Sequence, residues 1–256
     1  MIIDIHTHTH HYRYPDIWKI DDPDPINVVI EFMDNAGVDK SVMVAHHFAC
    51  HGYMVKNDFG KGNDETFEAV KKYPDRFLPF VYVHPRFTEE SLNEIDRCMK
   101  LFDTCGIKVH PTASYTAANS HIIDPIIEKA REYDVPVFMH TGHTPCCGPI
   151  LLFDMAKRYK DVNFILGHCG MERYYPDAIV AGCYTDNIFI ETSFTTAFAI
   201  ERSIKMVGAD RVVWGTDNPV LDPKYLLTMI DCLKITDEEK EKYLGGNAIR
   251  LLKLKN

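Results

Sequence analysis

The sequence has no CxxC pair, no GxGxxG turn and no apolar run of 18 residues. Each absence removes a class of protein. Without an 18-residue apolar run, no membrane-spanning helix is expected. Without GxGxxG, a doubly wound sheet loses the turn that would hold a dinucleotide phosphate. The eight cysteines, Cys50, Cys98, Cys105, Cys146, Cys147, Cys169, Cys183 and Cys232, lack paired spacing in a chain long enough to fold without staples. Reduced thiols in a cytoplasmic protein are the expectation. Positive charge is also short: 28 basic residues against 37 acidic give a formal net charge of -9. That argues against nucleic acid or an anionic membrane as partner, because both need a basic face. The N-terminal residues run straight into Asp4 and a group of histidines, so no secretory leader is expected. No linker or low-complexity tract interrupts residues 1–256, and one domain is the economical reading.

What is present is a rhythm. β-rich segments recur at 2–6, 41–47, 77–84, 106–110, 135–140, 162–168, 187–192 and 211–217. Most are continuous apolar runs, which suits strands buried on both faces of a parallel sheet. Helical patterns lie between them. Residues 88–102 place Leu92, Ile95, Met99 and Phe102 on one stripe, and 121–133 does so with Ile122, Ile126 and Ala130 beside Ile123 and Ile127. Thr236 and Glu239 have capping-box spacing before a helix expected to stop at Gly245–Gly246. Eight βα units in one chain of this length predict a (β/α)8 TIM barrel.

The stretch DIHTHTHHY, residues 4–12, crowds four histidines into the first strand and its exit. Of 13 histidines, eight fall at or just beyond predicted strand ends: His6, His8, His46, His47, His84, His110, His140 and His168. In a barrel the C-terminal strand ends build the active site. Alternation along a strand points His6 and His8 the same way, and such a pair can reach one ion. His140 closes the fifth strand, His168 the sixth and Asp217 the eighth. Imidazole nitrogens plus one carboxylate, with a position left for water, suit a catalytic divalent ion.

HxH on the first strand, His on the fifth and sixth, and Asp in GTDNP on the eighth resemble the amidohydrolase superfamily, end to end. GTDNP and GGNAIRLLKL (245–254) are similar to its amidohydrolase-related branch, which includes aminocarboxymuconate semialdehyde decarboxylase and several lactonases. The resemblance implies one divalent ion, zinc first and manganese or another ion as the alternative. It makes His6, His8, His140 and Asp217 the ligands and His168 a catalytic group at the reacting centre. A homodimer comes from the same analogy.

Lys108 in GIKVHP faces inward with His110. Three roles stay open for it: bridging two metals as a carboxylated lysine, binding a substrate carboxylate, or a structural ion pair. His110 is a substrate contact, and Arg173 or Arg13 could pair with a substrate carboxylate. His143, Cys146 and Cys147 would form a second, soft-metal site only as a minor alternative, and His10 and His11 have no assigned role. Tyr12, Tyr14, Trp18, Tyr53 and Tyr115 could wall a pocket in the long loops.

Two reactions use these groups. In the first, and preferred, a metal-activated water hydrolyses an amide, lactone or ester, with Asp217 taking the proton and His168 polarising the carbonyl. The intact HxH pair favours it, since some decarboxylases of the branch alter that pair. In the alternative, an unsaturated or aromatic acid is decarboxylated and Asp217 or His168 protonates the carbon. The substrate is a small molecule in both. An HxH phosphoesterase is disfavoured by the eighth strand's GTD, and a metal-binding protein without activity ranks last.

Overall fold

The computed structural model describes residues 1–9, 24–45 and 58–255. His10, His11, Tyr12, Arg13, Tyr14, Trp18, His46, His47, Cys50 and Tyr53 lie outside them. Eight parallel strands form one sheet in sequence order: β1 (Ile3–His8), β2 (Lys40–Val44), β3 (Phe77–Val83), β4 (Gly106–Val109), β5 (Val137–Met139), β6 (Phe164–Leu166), β7 (Ile188–Glu191) and β8 (Val212–Val213). Backbone bonds from Ile5 to Trp214, His8 to Asn218 and Asp217 to His6 return β8 to β1. The result is the expected (β/α)8 barrel.

Helices fill each crossover: α1 (Pro25–Ala36), α2 (Asp58–Lys72), α3 (Thr88–Leu101), α4 (Asp124–Tyr133), α5 (Pro149–Arg158), α6 (Met171–Cys183) and α7 (Ala197–Val207), with α8 (Pro223–Ile230) after β8. Asp24 accepts a bond from Ile26 N at the start of α1, and Pro25 supplies a helix-ready φ at its first position. None of the described helices is long and apolar enough to cross a membrane. All described cysteines are free.

The core has two layers. Outside the barrel, Val81, Val83, Ile107, Val109, Val137 and Met139 pack against Ile95, Ile126, Ile127 and Leu152 of the helices. Inside, Ile3, Ile5, Val42, Val44, Phe80, Phe138, Ile165, Phe189 and Val213 fill the lower half. Ile122, placed on the inner stripe by periodicity, is instead exposed, because 121–123 forms a 3-10 turn that rotates it away before α4 begins.

Two features depart from simple patterning. The β1–β2 register slips between Asp4 and Thr7. Strict alternation from Ile3 and Ile5, both in the inner cluster, would have turned His6 outward. A bulge re-aims the strand, so Ile5 and His6 both serve the interior. At the C-terminal end, Thr236 and Glu239 do form the capping box of α9 (Asp237–Glu241). The helix does not stop at Gly245–Gly246, however. It continues through a π-type turn, Lys242–Gly246, into α10 (Asn247–Leu251). A Cβ on Gly245 would lie 2.3 Å from the Met1 carbonyl oxygen, so glycine lets this turn lie against the start of β1.

Candidate metal centre at the barrel mouth

His6, His8, Lys108, His110, His140, His168 and Asp217 are all buried, and all converge on the C-terminal mouth. They do so from two strands, β1 and β4, and from the exits of β4, β5, β6 and β8. β8 itself ends at Val213, four residues earlier than expected for Asp217. Asp217 nevertheless holds its place, because its N–H donates to the His6 carbonyl at 2.8 Å and its φ of 61° turns the chain out of the sheet. His168 also lies past its strand, with φ 64° in a 3-10 turn.

The bonding pattern assigns tautomers. His6 Nδ1 faces Glu191 Oε2 at 3.3 Å, and His8 Nδ1 faces the Val44 carbonyl at 3.2 Å. Both therefore carry hydrogen on Nδ1, which leaves lone pairs on Nε2. Those two lone pairs point at one acceptor: Asp217 Oδ1 is 3.0 Å from His6 Nε2 and 2.9 Å from His8 Nε2. Facing acceptors in a buried site repel unless a cation lies among them; Lys108 Nζ, which donates to His6 Nε2, is one, and a divalent ion would be another. Neutral imidazoles with a carboxylate form a donor set that a divalent ion fits. His168 joins His6 and Asp217 in a group whose donor atoms all lie within 4.8 Å of one another.

His140 reaches this set through His168. Ser193 Oγ donates to Glu191 Oε2 at 3.1 Å and accepts from His168 Nδ1 at 2.7 Å. His168 Nε2 therefore accepts from His140 Nδ1 at 2.8 Å, and His140 Nε2 accepts from His143 Nδ1 at 2.7 Å. A relay thus runs from Glu191 to the rim. His110 stacks on His140, ring centroids 3.7 Å apart.

Burial is the first cause holding His6, His110 and His140 well below the usual imidazole range, and Lys108 adds to it at His6 and His110. Burial brings His168 down to about 3. For Asp217, burial alone would raise the carboxyl, but His6 and His8 beside it hold it well below the carboxylate range. Burial lowers Lys108 to about 7, opposed by the carboxylates of Asp217 and Glu191. Its Nζ donates to His6 Nε2 at 2.9 Å and sits 3.7 Å above the Phe138 ring.

Above these groups opens a cavity of about 300 Å³. His8, Lys108, His110, His140, His168 and Asp217 line its floor and one wall, while Ala113, Met171 and Phe194 give it an apolar side. Arg173 is exposed, with its guanidinium over the Tyr174 ring, and does not line the cavity. Tyr115 is 52% exposed and does not wall it either.

Three residues at the mouth had no assigned role from sequence. Glu191 orients His6, and through Ser193 it orients His168 as well. A lone acid in the apolar run NIFIE, buried on both faces, was the available signal. A Cβ on Gly215 would lie 2.5 Å from Glu191 Oε1, so glycine at this position lets the chain pass close to the carboxylate. Asp4 accepts from the backbone N–H of His6 and of Thr216, each at 3.0 Å, which clamps β1 to the segment carrying Asp217. Burial pushes the Asp4 carboxyl up to about 8.

Comparison with known proteins follows from this geometry. A family model described as Amidohydrolase matches residues 3–254. Gamma-resorcylate decarboxylase of Polaromonas sp. is 23% identical over 250 residues, 76% of each chain. A 4-sulfomuconolactone hydrolase of Hydrogenophaga intermedia is 23% identical over 245 residues, 84% of this chain and 74% of its own. Among solved structures, 2,6-dihydroxybenzoate decarboxylase bound to 2,6-dihydroxybenzoate superposes with a TM-score of 0.79 at 19% identity, over 100% of this chain and 99% of that one. The 5-carboxyvanillate decarboxylase of Novosphingobium aromaticivorans, with manganese and 3-methoxy-4-hydroxy-5-nitrobenzoic acid bound, gives 0.74 at 18% identity, over 99% and 97%. The expectation of an amide, lactone or ester hydrolase is corrected by these relatives, in which decarboxylases predominate. The reason is chemical: the same donor set serves both reactions, so an intact HxH pair does not choose between them.

Proposed function

We propose a reaction on one premise: this chain belongs to the amidohydrolase family. The reaction is metal-dependent, non-oxidative decarboxylation of a small aromatic or unsaturated carboxylic acid. The observation that carries it is the predominance of that reaction among the curated relatives and solved structures, along three quarters or more of each chain. The cavity supports the reading. Its 300 Å³ is at the small end of ligand pockets, which run to about 1,000 Å³.

His6, His8 and Asp217 would hold the ion, with His140 and His168 as the candidates for a further donor. Manganese, as in the solved carboxyvanillate decarboxylase, stands beside zinc as the metal. When bound, the ion would draw electron density from the substrate oxygens.

The chain's own residues account for the rest. Lys108, buried at the floor, donates to a substrate carboxylate or phenolic oxygen. The stacked His110 and His140 rings and Phe194 confine a planar ring and exclude water. Decarboxylation requires a proton at the carbon that bears the carboxylate. The carbon–carbon bond then breaks, its electron pair returns to the ring, and CO2 leaves. His168 is a poor source of that proton, because its Nδ1–H is committed to Ser193 and its Nε2 accepts from His140. Asp217, at the cavity wall, is the carrier; it can take a proton from a substrate hydroxyl and hand it to carbon.

The test is CO2 release from a panel of hydroxylated benzoates and unsaturated acids by protein loaded with Mn2+ or Zn2+. Metal-dependent CO2 release from a panel member is expected. Metal-dependent cleavage of a parallel ester and lactone panel, with no CO2 from any acid, would overturn the reading.

A further inference from the structure

We propose that Met171 sets the substrate specificity of the mouth, selecting an aromatic acid with one carboxylate and an apolar edge over an aromatic diacid. The inference rests on the decarboxylation reading and narrows its substrate class.

The backbone supplies the first observation. His168, Cys169 and Met171 have positive φ, at 64°, 50° and 58°. Met171 combines its φ with a ψ of 178°, a region that essentially only glycine occupies without strain. Three bonds hold the turn in this shape. Thr141 Oγ1 donates to the Gly167 carbonyl at 2.6 Å and accepts from Gly170 N–H at 3.1 Å. Met171 N–H donates to the His168 carbonyl. Phe194, which lines the same cavity, also has a positive φ, at 52°. Glycine at either position would relieve the strain, so what methionine and phenylalanine contribute there is the side chain.

The second observation is where those side chains sit. With Ala113, they make the apolar side of the cavity. Met171 Cγ passes over Gly142, where a Cβ would lie 2.6 Å away, so the side chain rests against the exit of β5. The Phe194 ring stands edge-on to His168, with 5.4 Å between centroids.

Charge decides what this wall admits. Among the described residues lining the cavity, Lys108 is the only lysine or arginine. It serves the carboxylate or phenolic oxygen at the floor. A second carboxylate on the far edge of the ring would meet a thioether and a phenyl ring, and losing its water there is costly. A methyl group in the same place gains burial instead. The unbranched, polarizable methionine chain fits itself to such an edge.

Binding alone reads the wall. Mn2+-loaded full-length protein is dialysed to equilibrium against a matched set of ring-methylated and ring-carboxylated salicylates, with every free ring position represented by both. At the position that faces Met171, the wild type should bind the methyl compound about tenfold or more tightly than the carboxylate. Met171→Lys should narrow that gap by about tenfold or more, because its ammonium pairs with the added carboxylate. Met171→Gly should weaken the methyl compound about tenfold and melt no lower than the wild type, since glycine relieves the turn. A wild type that binds carboxylate and methyl compounds equally at every position would overturn the inference, as would a gap that neither variant changes. Should Met171→Lys misfold by circular dichroism, unchanged affinity for the methyl compounds in Met171→Gly would overturn it equally. Each of these failures leaves the decarboxylation reading standing. A wild type that binds no salicylate at all would overturn the aromatic branch of that reading, and this inference with it.

Discussion

The two ends of the barrel interior use the same strands for opposite purposes. The lower half is hydrocarbon: Ile3, Ile5, Val42, Phe80, Ile165, Phe189 and Val213 pack on one another. The mouth, one or two residues further along several of those strands, holds buried imidazoles, two carboxylates and an amine. Burying such groups is costly unless each finds a partner. Here they partner one another, and the set is balanced for a cation. The lower half contributes stability and the upper half chemistry, and Phe138 touches both, packing with the inner cluster while its ring lies 4.4 Å from that of His6.

This division can be broken from either side. The largest effect is expected at the mouth: Asp217→Asn should cut turnover by about 10³-fold or more while the fold stays intact, because the isosteric amide cannot carry the proton. Steady-state rates with thermal melts check it. Next comes the lower half. Phe80→Ala should cost about 3–5 kcal/mol in chemical denaturation through lost burial and a new cavity, with metal content per folded chain unchanged. A smaller effect tests the support beneath the site. Glu191→Gln should weaken metal affinity about 10–100-fold, since Glu191 sets the orientation of His6 and, through Ser193, of His168. Metal-competition titration measures it.

The smallest effect lies outside both halves. Lys72 bonds to Asp24 and, as the first cause, lowers the Asp24 pKa below 3.8. The folded state therefore binds this proton less tightly than the unfolded chain does. The contribution is present above that value and is lost as pH falls through the depressed one. Asp24→Asn should shift Tm at pH 7 by no more than about 2 °C, because the pair is exposed to solvent. It should also flatten the acid limb of Tm against pH.

Much of this contrast was legible in the sequence. Continuous apolar runs gave eight strands in order, because strands covered on both faces need no alternation. Histidines at run ends marked the mouth. What escaped was set by geometry rather than composition. The bulge in β1 decides that Ile5 and His6 both face inward, and a register slip leaves no residue-type signature. The proximity of His140 to His168 depends on a positive φ at His168 that a histidine rarely adopts. Glu191 read as a strand residue, because its partners are 185 residues away in one case and two in the other. The choice between hydrolysis and decarboxylation was not written in the donor set at all. It came from the relatives.

The most direct test follows the proton. An acid that the metal-loaded protein decarboxylates is turned over in D2O, and the product is read by NMR. The account predicts deuterium at the single carbon that carried the carboxylate, with CO2 released in equal amount, and both formed about 10³-fold or more slowly by Asp217→Asn. Deuterated product formed by Asp217→Asn at the wild-type rate would contradict it.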